Sequence, residues 1–299
     1  MRRQREGGGA ADSDTMKTMS ALADLPVAVF DSGVGGLTVL HELLVSLPSE
    51  DYLYLGDTAR LPYGNRSPEQ LTAFSIEIAD HLVQHGAKLL VVACNSASAA
   101  ALDAVQSHLD RSGQEIDVIG VLRSAAQMAV AASHSGRIGL LATPATVASG
   151  AYERTVRAAD PHVHLESVAC PDLAAVIEAG FPFDDDLVET VRAYCAPLRA
   201  AQVDTVILGC THFPLIAPML QRTLGRGVSL VTSGPGVARS VERALAARDL
   251  LNPRPDEGSY RFRCTGRVSA FQALGTRFLQ MPLGEVEHVD LDAPVAAAR

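Results

Sequence analysis

The sequence predicts an α/β fold of two similar lobes, each with a mainly parallel sheet, and a site in the cleft between the lobes. Short apolar runs alternate with longer amphipathic segments, a pattern typical of parallel strands that helices cover on both faces. Two of these runs end alike, in "VVACNS" and "VILGCTH", which suggests a repeat at the scale of a lobe. With 299 residues, 47% of them hydrophobic, the chain is long enough for two lobes of ordinary size.

The predicted strands are apolar runs of strand length. They cover residues 26–30, 51–57, 88–94, 117–122, 137–143, 163–170, 204–210 and 228–231. Ligands in open α/β sheets bind beyond the carboxyl ends of the strands, and several of these runs end in small or polar residues. The residues that this rule brings together are Asp31, Ser32, Cys94, Asn95, Thr143, Thr211 and His212.

The charge and the cysteine content exclude several classes of function. The net charge is −9, the pI is near 5.4 and the basic residues are scattered, so a nucleic-acid partner is not expected. Five widely spaced cysteines without a CxxC pair predict reduced thiols, no disulfide framework and no metal site. No apolar run reaches the roughly eighteen residues of a membrane span, and the first 25 residues lack the apolar core of a secretory signal. A cytoplasmic protein is therefore expected.

Two loops carry polar groups for which the sequence leaves two interpretations open. "FDSGVGG" (residues 30–36) could hold an anion on its backbone N–H groups, or could be a tight turn capped by Asp31. It matches neither GxGxxG nor a P-loop, which argues against a nucleotide. "GDTARLPYGNRS" (residues 56–67) could offer the Tyr63 phenol and the Gly64 amide to a carboxylate, or could be an ordinary loop.

Cys94 and Cys210 are the strongest candidates for chemistry. Each follows an apolar strand and precedes polar residues close to a predicted helix N-terminus, where the helix dipole favours a thiolate. Two thiols that face one cleft can take a proton from one face of a tetrahedral carbon and return one to the other face. A cysteine hydrolase would need one thiol only. The other cysteines, Cys170, Cys195 and Cys264, are expected to be buried packing residues.

Two further residues are ambiguous from the sequence. His212 could tune Cys210 or hold a substrate group, or could be a hydrogen-bonded structural histidine. Glu178 lies in a predicted helix, and by default it is expected to be a solvated carboxylate. A pyridoxal cofactor is not expected, because the chain has two lysines, Lys17 in the N-terminal tail and Lys88 before the third strand.

Seven motifs stand in order along the chain, between about residue 26 and about residue 291. They are "VFDSGVGGLTVL", "YLGDTARLPYGNRS", "VVACNSAS", "GRIGLLATPATVASGAYER", "ACPDLAAVIEAG", "VILGCTHFPLI" and "VEHVDL". Together they resemble the glutamate racemases of the aspartate/glutamate racemase superfamily. The resemblance implies an isomerase that interconverts L- and D-glutamate without a cofactor. It also implies that the product D-glutamate serves peptidoglycan synthesis, and with it cell-wall biogenesis and cell shape.

The resemblance assigns roles by motif position. Cys94 would be the base for D-glutamate and Cys210 the base for L-glutamate, each acting as the acid in the other direction. Asp31, Glu178 and His212 would assist proton transfer. The residues that would contact the substrate are Asp31, Ser32, Tyr63, Gly64, Asn95, Ser96, Thr143, Thr146, Thr211 and His212.

The family fold implies two lobes between which the chain crosses twice. The first lobe would comprise residues 26–118 plus 233–291 and the second residues 119–232, with a disordered tail at 1–25 and another tail at 292–299. A homodimer is expected, with glutamate as the small-molecule partner and no membrane partner. Other racemases or decarboxylases of the superfamily are the alternatives. Some family members restrain DNA gyrase, although no surface for gyrase is marked in this sequence.

Overall fold

The strands of the protein include every apolar run that the sequence analysis singled out. The computed structural model describes residues 21–180 and 185–291. Its strands are β1 (Val27–Asp31), β2 (Tyr52–Gly56), β3 (Leu89–Val92), β4 (Asp117–Gly120), β5 (Arg137–Ala142), β6 (His164–Ala169), β7 (Thr205–Gly209), β8 (Ser229–Val231), β9 (Tyr260–Cys264) and β10 (Val286–His288). The predicted strands β1 to β8 are confirmed, whereas the strand pattern misses β9 and β10.

The strands form two sheets. The first has the order β10-β9-β2-β1-β3-β4 and the second the order β6-β5-β7-β8. Every strand pairing in the described residues is parallel, so the predicted α/β class with parallel sheets is confirmed. Strands β1, β2, β3 and β7 are buried along their whole length, because helices cover both faces of each sheet.

Helices connect most of the strands. They are α1 (Leu37–Ser46), α2 (Pro68–Gln84), α3 (Asn95–Arg111), α4 (Leu122–Ala132), α5 (Pro144–Ala148), α6 (Ala151–Ala159), α7 (Leu173–Glu178), α8 (Asp185–Ala200), α9 (Ala217–Leu224), α10 (Gly234–Ala247) and α11 (Val268–Leu279). Short 3₁₀ turns occupy Tyr63–Asn65 and Phe213–Ile216. No helix in the described ranges is long and apolar enough to cross a membrane.

The chain crosses between the sheets twice. It leaves the first sheet after β4, builds the second from β5 to β8, and returns through α10 to add β9 beside β2. Helix α10 packs against α1 of the first lobe and touches α4, so the two crossings lie side by side. The lobe boundaries at 118/119 and 232/233 stay a prediction, and the strands divide between the sheets close to those positions.

The two predicted tails lie largely outside the described residues, which begin at residue 21 and end at residue 291. Residues 21–23 are helical, and the buried Ala23 accepts a hydrogen bond through its carbonyl from Lys88 Nζ at 2.5 Å. Lys88 also forms a buried ion pair with Glu50 at 2.5 Å. The end of the predicted tail is therefore anchored to the first lobe at Ala23.

Candidate active site

A cavity of about 260 Å³ lies between the two sheets, beyond the carboxyl ends of β1, β3, β5 and β7. Pockets for drug-sized ligands usually measure roughly 300–1,000 Å³, so this smaller cleft suits a small substrate. Cys94, which follows β3 of the first sheet, lines the cleft, and so does Cys210, which follows β7 of the second. The two lobes thus each contribute one thiol to a single cavity.

Cys94 is the N-cap residue of α3. Its backbone is extended (φ −68°, ψ 123°), which ends the strand and starts the helix at Asn95. The thiol is 5% exposed, and its Sγ donates to the Ser32 hydroxyl oxygen at 3.8 Å. Burial, followed by the nearby Asp31 carboxylate, raises the pKa of Cys94 to about 12. At neutral pH this side chain is therefore a thiol, a proton donor held at the cleft wall.

Cys210 begins a chain of polar contacts that runs through an imidazole to a carboxylate. Its Sγ lies 3.7 Å from His212 Nδ1, and His212 Nε2 lies 2.8 Å from Glu178 Oε1. The edge of the imidazole ring also packs against Phe278, with ring centroids 5.1 Å apart. Because the imidazole is held on both nitrogens and on its ring, His212 cannot turn away from Cys210 without losing these contacts.

The imidazole of His212 is protonated at neutral pH. Burial lowers its pKa, but hydrogen bonds with Cys210 and with Glu178 outweigh burial and raise the pKa of His212 to about 10. The imidazolium can then donate to the carboxylate on one side and to the sulfur on the other. The Cys210 sulfur therefore lies beside a cationic donor, whereas the Cys94 sulfur lies beside a serine hydroxyl. The thiols of the cleft are therefore in unlike surroundings.

Asp31 lies behind the cleft rather than on its wall. The carboxylate is fully buried, and its Oδ2 accepts from the Gly33 N–H at 3.0 Å, as the capped-turn interpretation predicts. Its Oδ1 is 3.5 Å from the Thr211 hydroxyl of the other lobe. Burial raises the pKa of Asp31, and the neighbouring His212 and backbone N–H groups act against that effect. The Asp31 carboxylate thus lies close enough to Cys94 to act on that thiol by its charge, and it contacts the second lobe through Thr211.

The turn that follows Asp31 forms a close contact between the lobes. A Cβ atom added to Gly35 would stand 2.3 Å from Thr211 Oγ1 and 2.6 Å from the His212 ring. The Thr38 hydroxyl donates to the Thr211 carbonyl at 3.1 Å across the same contact. Glycine is therefore required at residue 35 for the second lobe to approach the first.

Three hydroxyls join the lobes on the opposite side of the cleft. Ser96 Oγ lies 2.9 Å from Thr143 Oγ1 and 3.2 Å from Thr146 Oγ1, and the two threonine oxygens are 3.0 Å apart. Ser96 and Thr143 line the cavity, whereas Thr146 is fully buried behind them. Thr146 therefore holds the other two hydroxyls in place and does not itself line the cavity.

The loop after β2 is held by a buried carboxylate. Asp57 is fully buried and accepts hydrogen bonds from the Tyr63 phenol, from Arg60 Nε at 2.6 Å and from Thr265 Oγ1 at 2.8 Å. Tyr63 lines the cavity, but its hydroxyl is committed to Asp57, and Gly64 lies against Thr143 of the other lobe. The phenol is thus a loop anchor, and the loop closes one end of the cleft.

Most of the residues predicted for the site meet in this cavity. Those that line it are Ser32, Tyr63, Gly64, Cys94, Asn95, Ser96, Thr143, Glu178, Cys210, Thr211 and His212. Asp31 and Thr146 stand directly behind the wall. Lining residues that the site prediction misses are Leu61, Pro62, Asn65, Pro144, Pro171, Asp172, Ala174 and Ala175. All but Pro144 lie in "LPYGN" or "CPDLAAVIE", motifs from which only one or two residues were drawn.

The remaining cysteines are not part of the cleft. Cys170, Cys195 and Cys264 are buried free thiols outside its lining, as expected. Within residues 21–180 and 185–291, no group of three or more His, Cys, Asp or Glu side chains could hold a metal ion.

Known proteins with similar sequences and similar structures match this chain over about nine-tenths of its length. Residues 38–241 match the family described as Asp/Glu/hydantoin racemase. The glutamate racemase of Geobacter metallireducens is 43% identical over 89% of this chain and 97% of its own length. A crystal structure of a Bacillus anthracis glutamate racemase isoform is 36% identical, covers 90% of this chain and 99% of its own, and superposes with a TM-score of 0.85. The Francisella tularensis glutamate racemase crystallised with D-glutamate is 32% identical, covers 90% and 99% of the two chains, and gives a TM-score of 0.83.

Two parallel-sheet lobes that each place a thiol in a shared cleft define a two-lobed α/β isomerase. The similar proteins narrow this class to the glutamate racemases, since three of them match about nine-tenths of the chain at 43%, 36% and 32% identity. The chain belongs to the Asp/Glu/hydantoin racemase family, among its glutamate racemases.

Proposed function

We propose that the protein interconverts L- and D-glutamate by a two-base mechanism in which Cys94 and Cys210 are the proton-transferring groups and no cofactor takes part. The observation that carries the proposal is that one thiol from each lobe lines the same small cavity. The choice of glutamate is supported by the similar structures, since the Francisella tularensis racemase was crystallised with D-glutamate and the Escherichia coli racemase with L-glutamate.

In the conversion of L-glutamate, the Cys210 sulfur, which lies 3.7 Å from His212 Nδ1, acts as the base: it removes the α-proton, and its S–H bond forms as the Cα–H bond breaks. The Cys94 thiol, whose pKa is raised, then delivers its proton to the opposite face of Cα. The products are D-glutamate, a Cys210 thiol and a Cys94 thiolate, and the reverse reaction runs through the same states.

The cleft supplies hydrogen-bond donors for the negative charge that develops on the substrate carboxylate. The hydroxyls of Ser32, Ser96, Thr143 and Thr211 line the cavity together with the Asn95 amide. Preorganised donors in a site that excludes water stabilise such charge more strongly than the same groups in solution. Among the residues that the structure describes, no lysine or arginine lines the cavity, so dipoles rather than cations would hold the dianionic substrate.

Isotope transfer in deuterated water tests the mechanism. With L-glutamate as the starting enantiomer and no added cofactor, the first D-glutamate formed should carry deuterium at Cα while the remaining L-glutamate does not. Cys94→Ser and Cys210→Ser should each lower inversion by about a hundredfold to ten-thousandfold. Cys195→Ser, at a buried thiol on α8 outside the cleft, is the matched control and should retain activity.

Two outcomes would contradict the proposal. If Cys94→Ser or Cys210→Ser still inverted glutamate at the native rate, the two-base mechanism would be refuted. Turnover of aspartate or a hydantoin with glutamate inert would favour another racemase of the same family.

The supply of D-glutamate to peptidoglycan synthesis is the proposed role of this reaction. The predicted homodimer concerns a surface outside the cleft and stays a prediction.

A further inference from the structure

The oxygen of the Asn95 side-chain amide has a hydrogen-bond partner, whereas both N–H groups of its nitrogen are unused in the described part of the chain. Asn95 is the first residue of α3, follows Cys94 directly, lines the cleft and is 3% exposed. Its Oδ1 accepts a hydrogen bond from the Tyr152 phenol at 2.7 Å. Its Nδ2 is buried and has no hydrogen-bond partner in the described part of the chain. Because a buried donor without a partner is costly, this nitrogen points to a ligand that completes it.

Tyr152 reaches Asn95 from the other lobe. It lies on α6, is fully buried, and belongs to a hydrophobic core cluster with residues from both sheets. Its side chain has a second hydrogen-bond partner, Ser233, in the segment through which the chain returns from β8 to α10. One phenol therefore connects the substrate-facing wall of the first lobe, the second lobe and the return crossing.

The phenol decides which way the Asn95 amide faces. The oxygen and nitrogen ends of an asparagine side chain have nearly the same shape, so packing alone does not distinguish them. A phenol with an O–H to donate attracts the oxygen end, and the nitrogen end is then turned toward the cleft. With a phenylalanine at residue 152, either end could face the substrate, and the oxygen end would repel an anionic group.

We propose that Tyr152 is a positioning residue that fixes the Asn95 amide so that its Nδ2 donates to a carboxylate of the substrate. The inference rests on the proposed racemisation of glutamate. Tyr152 is not among the residues that line the cavity, and its hydrogen bond to a lining residue is the one to Asn95. The donor is correctly oriented only while α6 of the second lobe is seated against α3, so substrate binding depends on contact between the lobes.

Steady-state kinetics of Tyr152→Phe, Asn95→Ala and the double variant test the proposal. Tyr152→Phe should raise the KM for glutamate by about fivefold to thirtyfold, with a smaller change in kcat. Asn95→Ala should lower kcat/KM by about tenfold to a hundredfold, because it removes a hydrogen bond to a charged group. If Tyr152 acts through Asn95, the double variant should match Asn95→Ala within about twofold.

A purely structural tyrosine would give a different result. It would lower the folded fraction, and hence kcat per total protein, without changing KM, and its effect would multiply with that of Asn95→Ala. Tyr52→Phe is the matched control, since it removes a buried phenol that donates to the Leu43 and Leu47 carbonyls of the first lobe, outside the cavity. It should change the unfolding midpoint and leave KM unaltered.

Asn95→Asp keeps the test decisive if Tyr152→Phe does not fold. The aspartate retains an acceptor for the phenol but presents an oxygen where the nitrogen stood, so its kcat/KM should fall at least as far as that of Asn95→Ala. Wild-type kinetics in Asn95→Asp, or additive effects in the double variant, would overturn the inference. Wild-type protein that does not racemise glutamate would instead refute the proposed function.

Discussion

Replacement of Glu178 by glutamine would remove a charge from the polar chain of the cleft while keeping its shape. The amide oxygen of the variant can still accept from His212 Nε2, which lies 2.8 Å from the carboxylate oxygen in the native protein. The variant loses the negative charge of the carboxylate. Together with Cys210, Glu178 raises the pKa of His212 to about 10 against the effect of burial. The variant therefore has an imidazole that is less readily protonated.

The size of the effect follows from the kind of hydrogen bond. A hydrogen bond to a charged group contributes about 1.5–3 kcal/mol, and a loss of that size from transition-state stabilisation lowers kcat/KM by about tenfold to a hundredfold or slightly more. L- and D-glutamate have equal free energies in water, so kcat/KM must fall by the same factor in both directions. Differences between the directions can appear only in kcat and KM taken separately.

The pH dependence supplies a second measure. In the native protein the folded-state pKa of His212 exceeds its ordinary value of 6.5, so its stabilising effect is complete below about pH 6.5 and is lost as the pH rises through about 10. In Glu178→Gln the alkaline limb of the kcat/KM profile should move to lower pH. The profiles should be measured by circular dichroism of the glutamate enantiomers between pH 6 and pH 10.5.

Glu189→Gln is the matched control, because its carboxylate is 74% exposed and pairs only with Arg192 in the salt bridges described. It should reproduce the native profile. A Glu178→Gln variant with native kcat/KM and an unmoved alkaline limb would refute the view that this carboxylate holds His212 protonated beside Cys210.

Three further predictions concern the framework of the cleft. Gly35→Ala would place a Cβ 2.3 Å from a threonine hydroxyl and 2.6 Å from the imidazole, so kcat/KM should fall by about a hundredfold or more. Gly227→Ala, whose Cβ would have no atom of the described chain within 4 Å, should leave kcat/KM unchanged. Asp57→Asn removes the charge that an arginine and the loop phenol share, and urea unfolding should show a loss of about 1–3 kcal/mol; an unaltered midpoint would contradict this. Lys88→Met leaves the 2% exposed Glu50 side chain without its 2.5 Å partner and should cost about 3–5 kcal/mol. The double variant with Glu50→Leu should recover most of that loss, and an equal loss in the double variant would count against the explanation.

The strands of the two sheets were predictable wherever burial on both faces forces a continuous apolar run. β9 escapes that rule, because "YRFRC" contains two arginines. Arg261 is exposed, and the buried Arg263 is accommodated by an ion pair with Glu287 of β10 at 2.8 Å. A charge that is neutralised by a neighbouring strand looks, in the sequence alone, like a charge in a loop.

The site residues that directly follow strands could be predicted from the sequence, whereas the hydrogen bonds between site residues far apart in the sequence could not. Cys94 and Cys210 stand out because each interrupts the end of an apolar run. Glu178 does not, since its partner His212 is distant in the sequence and only the fold brings them within 2.8 Å. The same limit applies to Tyr63, whose phenol could have faced a substrate but is taken by the buried Asp57.

The late return of the chain to the first sheet bears on how the protein is made. β2 pairs with β9 along its whole length, from Tyr52 with Tyr260 to Gly56 with Cys264. During translation the entire second sheet is synthesised while β2, paired with β1 on one side, leaves its other edge without a partner, and such edges pair readily with other chains. The second sheet can be completed on the ribosome from contiguous sequence, but the first cannot. A polypeptide released before residue 260 would therefore contain a finished second lobe attached to an open, aggregation-prone first sheet.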